Sequence, residues 1–81
     1  MSIRKNNQKT RTAGASVLRK ERTAKSVSQT ELAKRLGVSQ PLVSSWESGR
    51  ITMGIEDVVA IENALGVERG SMLHDIAFAE G

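Results

Sequence analysis

QTELAKRLGVSQPLVSSWES, running from Gln29 to Ser48, is the stretch from which the rest of the chain can be read. Its apolar residues fall at Leu32, Leu36, Val38, Val43 and Trp46, with the small Ala33 and Gly37 among them. Leu32 and Leu36 stand at i, i+4, and Val43 and Trp46 at i, i+3, the spacing of two helical inner faces. Ser28 and Glu31 form a capping-box pattern, in which Ser28 accepts from the third helical amide and Glu31 reaches back to the cap. Gly37 stops this helix after Leu36, because a left-handed backbone there carries no Cβ penalty. Ser39 caps a second helix over roughly 40–48. Pro41 is tolerated at its start, where first-turn amides have no intrahelical acceptor. Two short helices that cross steeply need a small residue at the crossing, a glycine in the turn and a shared inner face, and this stretch has all three.

The flanking segments continue in helical register. Upstream, Val17, Leu18 and Ala24 form a weak apolar stripe among Arg19, Lys20, Glu21 and Arg22, which predicts a helix over about 14–24. Residues 1–12 contain Arg4, Lys5, Lys9 and Arg11 and no acid. With only Met1 and Ile3 to bury, that segment reads as a flexible basic N-terminal arm. Downstream, Ile55, Val58, Ile61 and Leu65 share one face of a helix over 55–65, with Glu56 and Asp57 favourably near its N-terminus. A last helix over about 69–78 offers Met72, Leu73, Ile76 and Phe78. The expected fold is therefore all-α, one compact five-helix domain over residues 13–81, with helices 1 to 5 in chain order over about 14–24, 29–36, 40–48, 55–65 and 69–78.

Composition supports this reading and narrows the function. Eighty-one residues make one small domain, and a single Trp, a single Phe and no Tyr leave an aliphatic core. The chain has no cysteine, which excludes disulfides, zinc–cysteine sites and thiol chemistry. No apolar run approaches the ~20 residues of a membrane span, and no signal-peptide core is visible, so a cytoplasmic protein without membrane attachment is expected. Residues 1–50 hold eleven Lys and Arg against three acids, whereas residues 51–81 hold one Arg against six acids. The first part suits a polyanion, and the second leaves an acidic surface for something else.

The segment 29–48 has the form of a helix-turn-helix, and with its surroundings it resembles the Cro and phage-repressor (XRE-type) DNA-binding family. The resemblance covers about residues 17–73. It rests on Val27 to Gln29, Glu31 to Ala33, Leu36 to Ser39, Trp46 with Glu47, Gly49, and Ala64 to Val67. It implies a lambda-repressor-like domain in which the N-terminal half of helix 3 enters the major groove while helix 2 lies across the backbone. Gln40, Pro41, Ser44 and Ser45 would then face base edges. Gln40 is the best reader, since its amide can pair bidentately with adenine N6 and N7. Pro41 departs from the polar residue that is common there, and its ring offers van der Waals contact only. Gln29, Ser39, Ser48 and Arg50 match positions that hold phosphates. Arg22 and Glu47 match a structural pair that links helix 1 to helix 3.

Nothing in the sequence supports catalysis. His74 has no nucleophile placed to use it, and one histidine without cysteine makes no transition-metal site. Phosphate loops of the Walker or dinucleotide type are absent, so no cofactor and no small-molecule ligand are expected. Trp46, a lone aromatic at an inward position, reads as core. The expected function is a sequence-specific double-stranded DNA-binding regulator, acting as a repressor and homodimer on a palindromic operator. One short recognition helix reads too few bases alone, and Met72, Leu73, Ile76 and Phe78 are the dimer-interface candidates, the alternative being that they only close the core. Two alternatives share the sequence evidence. One is an antitoxin or restriction-modification controller with the same binding mode. The other is a protein-interaction module that uses the acidic surface of helices 4 and 5.

Overall fold

The computed structural model describes residues 3–78, with side chains from residue 13 onward. Five helices follow one another: α1 (Ile3–Ala24), α2 (Gln29–Leu36), α3 (Gln40–Glu47), α4 (Ile55–Leu65) and α5 (Ser71–Ala77). No strand occurs among the described residues. The fold is all-α.

Local chemistry sets the boundaries of the central pair. Ser28 is extended and its hydroxyl accepts from the Glu31 amide at 3.0 Å. The Glu31 carboxylate does not reach back as the capping box expects. It pairs with Arg35 one turn on, at 3.1 Å, an i, i+4 attraction that competes for the same oxygens. Gly37 takes φ 72°, which lets its own amide and that of Val38 close onto the carbonyls of Lys34 and Ala33. Ser39 caps α3 by accepting from the Leu42 amide at 3.3 Å, and Pro41 occupies the first turn.

α1 begins well before the expected start near position 14. Arg4, Lys5, Gln8, Lys9 and Arg11 are strong helix formers, and extending a helix already nucleated on the core costs far less than starting one. Helical backbone therefore runs through residues 3–12. Met1 and Ser2, the first residues of the expected arm, lie outside the described residues.

The core joins all five helices. Leu18 of α1, Leu32 and Ala33 of α2, Val43 and Trp46 of α3, Val58, Ile61 and Leu65 of α4 and Met72 of α5 are buried together, with Val27 from the α1–α2 connection. α1 packs on α3 and α5, α2 packs on α3 and α4, and α4 packs on α5. Ile55, expected on the inner face of α4, is 70% exposed. It is the first residue of the helix, entering from Gly54, and the stripe reaches the core only from Val58 onward. Ala24, at the last turn of α1, is exposed as well. Arg35 ties the ends of two helices together by donating to the Ala64 carbonyl at 2.8 Å.

Candidate nucleic-acid interface

Gln40 and Pro41 are exposed at the start of α3, and Ser44 and Ser45 are half-buried one turn further along. The other face of the same helix is committed to the core through Val43, Trp46 and Glu47. α3 is thus held from behind and offers its polar residues outward. Ser39 and Gln29 stand at the starts of α3 and α2, whose first amides have no acceptor within their helices.

A chain of side-chain hydrogen bonds connects this surface to a buried ion pair. Glu47 is buried to 1% side-chain exposure and Arg22 to 13%. Arg22 Nε donates to Glu47 Oε2 and Nη2 donates to Oε1 at 3.0 Å, while Nη1 donates to the Val27 carbonyl at 2.8 Å. The fork therefore fastens α1 to α3 and to the connection that leads into α2. Gln29 Nε2 donates to Glu47 Oε1 at 3.1 Å, and Gln29 Oε1 accepts from Gln40 Nε2 at 2.7 Å. Arg19, largely exposed, lies 3.5 Å from the same Glu47 oxygen. Burial pushes the Glu47 carboxyl up, but the hydrogen bonds from Arg22 and Gln29 and the Arg22 charge hold it below the ordinary carboxylate value. The Glu47 hydrogen bond raises the Arg22 guanidinium in turn, against the opposing effect of its own burial. Both groups stay charged throughout the physiological range.

The expected phosphate positions differ in what they can offer. Ser39 uses its oxygen as a cap acceptor and keeps its hydroxyl proton to donate. Arg50 is exposed, and no ion pair engages it among the described residues. Ser48 is differently placed. Its hydroxyl donates to the Ser45 carbonyl at 3.1 Å and its amide to Ser44, so both donors point back into the helix end.

The four expected dimer-interface residues do not form one surface. Met72 is fully buried, because α5 folds its first turn inward onto α4, and it is unavailable to a second chain. Leu73 and Ile76 are half-buried against the core, and Phe78 is 70% exposed. His74 stacks beside Phe78 with ring centroids 4.7 Å apart and lies 3.7 Å from Asp75, on the exposed side of α5.

Two features of this region have weak sequence signals. The Gln29–Gln40 link joins the first residues of two helices, and only the positions that each begins a motif helix hint at it. Glu62 is buried on α4 and accepts from the amides of Gly70, Met72 and Leu73 at 2.9, 3.0 and 3.3 Å. In the sequence it is one acid among six in the C-terminal part.

A helix-turn-helix family model matches residues 18–70. Among solved structures, the chain is similar to that of the clp gene regulator ClgR from C. glutamicum, with 30% identity and a TM-score of 0.78. The similarity covers 89% of this chain and 92% of that one. No curated protein sequence matches. No helix among the described residues is long and apolar enough to cross a membrane.

Proposed function

The chain belongs to the helix-turn-helix family of DNA-binding regulators, and on that premise we propose that it is a sequence-specific repressor acting as a homodimer on a palindromic operator. The observation that carries this reading is the anchored polar face of α3. Gln40, Pro41, Ser44 and Ser45 project from a helix whose inner face is locked into the core, and Gln40 is already held by Gln29. Gln40 keeps its Oε1 and one amide proton for a base edge, the pair that matches adenine N6 and N7. Gln29, Ser39 and Arg50 hold phosphates around it, with the basic residues of 1–12 adding contacts along the duplex. Ser48 serves there only if its hydroxyl leaves Ser45. The similar structure is that of a gene regulator, which supports a role in transcription, carried out in the cytoplasm and without catalysis.

Two recognition helices on a two-fold axis would read half-sites about one helical turn, roughly 34 Å, apart. Selection of bound duplexes from random DNA tests this directly. The expected result is an enriched palindrome whose affinity falls steeply with salt, with a logarithmic slope of about 0.9 per phosphate neutralised. Enrichment of no sequence, with weak binding that does not depend on salt, would overturn it.

A further inference from the structure

Two of the three large apolar side chains that stand exposed among the described residues, Ile51 and Ile55, border one groove. Its lining includes the buried Trp46 and Val58, the half-buried Leu73 and Ile76, and the exposed Ile51 and Ile55. Its volume is about 100 Å³, less than the ~150 Å³ of an apolar cavity that takes up benzene. It fits one aliphatic side chain.

We infer that the occupant is Ile55 of a second copy of this chain, so that two copies meet across a two-fold axis through the α3–α4 loop and the groove beside it. This rests on the homodimer reading above and gives it a surface. A two-fold contact uses one patch twice, so the patch must be its own complement. Here a socket for one aliphatic side chain sits next to an isoleucine that is 70% exposed. The charges match in the same way. Arg50 and Glu56 flank the patch on either side of the loop, both are exposed, and neither has a side-chain partner among the described residues. The two-fold brings each Arg50 to the partner's Glu56, and a guanidinium with five N–H donors can still face a phosphate. The patch follows directly on the recognition helix but draws only Trp46 from it. An occupant therefore leaves Gln40, Pro41, Ser44 and Ser45 uncovered, and the two α3 helices sit symmetrically about the axis.

Sedimentation of the free full-length chain, together with binding to duplexes carrying one or two half-sites, tests the contact. The wild type is expected to self-associate, or to bind two half-sites cooperatively where the free dimer is weak. Ile55→Glu weakens this on the order of tenfold or more, the scale of losing one central apolar anchor. Measured at dilution where both proteins are monomeric, its melting temperature matches the wild type's, and its affinity for a single half-site stays unchanged. Glu56→Arg also weakens association, and Arg50→Glu combined with Glu56→Arg restores it in the free chain. Phe78→Ser leaves it intact. The inference is overturned if the wild type neither associates nor binds cooperatively, if Ile55→Glu associates like the wild type, or if Phe78→Ser alone separates the copies. Failure of the wild type to bind even a single half-site would instead sink the DNA-reading proposal, while Ile55-dependent association would still support the contact.

Discussion

Among the described residues each half of the molecule buries one carboxylate, and the two are satisfied by different chemistry. Glu47, in the basic half, is met by side chains: a forked arginine, a glutamine and a more distant second arginine. Glu62, in the acidic half, is met by backbone amides at the start of α5. A buried carboxylate must find either an opposite charge or several aligned N–H groups, since burial without either is costly. The choice determines what each residue can do. Side-chain partners can carry the anchor outward, from Glu47 through Gln29 to Gln40 on the surface. Backbone partners cannot, and Glu62 serves only to fix where α5 lies.

Separating these two anchors requires variants that break one without the other. The largest effect is expected for Arg22→Ala, which leaves Glu47 buried without its main counter-charge and should cost about 3–5 kcal/mol in chemical denaturation. Replacing both partners by apolar residues, Arg22→Met with Glu47→Leu, should recover most of that stability but weaken DNA binding, because Gln29 loses its hold. Equal recovery of both properties would mean that the pair is only structural.

Glu62→Ala should cost about 2–3 kcal/mol, the scale of losing hydrogen bonds to a charged acceptor. Hydrogen exchange should speed up at the Met72 and Leu73 amides, while the amides of α3 stay protected. Faster exchange at α3 would show that the two anchors are coupled. A smaller effect, on affinity rather than folding, belongs to Gln40→Ala. It should lose about 1–3 kcal/mol on the preferred site and flatten discrimination at one base pair per half-site. Arg50→Ala should weaken all sequences about equally, and binding across single-base operator changes distinguishes the two.

The smallest expected effect is acid sensitivity. Glu47 is held below its ordinary value when folded, so its contribution is present above the unfolded carboxyl value, about 4.3. That contribution is lost as pH falls through the depressed folded value. In Arg22→Ala the chief depressing partner is gone and burial remains, so this acid-dependent loss should shrink or reverse sign. Urea midpoints measured between about pH 3 and 7 would reveal it, and identical pH profiles for the two proteins would contradict the assignment.

Elements whose signals are local were legible in the sequence. α4 has the expected bounds, Ile55–Leu65, because an acidic first turn and a following glycine mark both ends. α2 and α3 follow their serine caps and Gly37 closely. α5 proves shorter than the expected 69–78, since Glu62 draws the Gly70 amide and sets the start of the helix at Ser71. That long-range bond leaves no periodic trace, and an acid on α4 looks like solvated surface until the fold brings residues 70–73 beside it. Met72, open in the sequence to either role, joins the core for the same reason. An apolar residue on a short terminal helix fits a core or an interface equally well, and only the packing of α5 against α4 decides. At the candidate interface, residue types and motif positions indicate the exposed Gln40 and Pro41, but not the inward turn of the Ser48 hydroxyl, which depends on how the end of α3 closes.

On the proposed base-reading role of Gln40, the Gln29–Gln40 hydrogen bond would bear on how fast and how selectively DNA is searched. Fixing a free glutamine side chain at an interface costs roughly 0.5–1.5 kcal/mol of rotational freedom at the moment of contact. Gln40 is restrained beforehand by its neighbour, so that ordering is completed during folding. If Gln40 reads a base edge as proposed, each encounter would meet a side chain already restrained. A wrong base pair would then receive less compensating readjustment, and the bond that stiffens Gln40 would shorten the time spent on incorrect sequences.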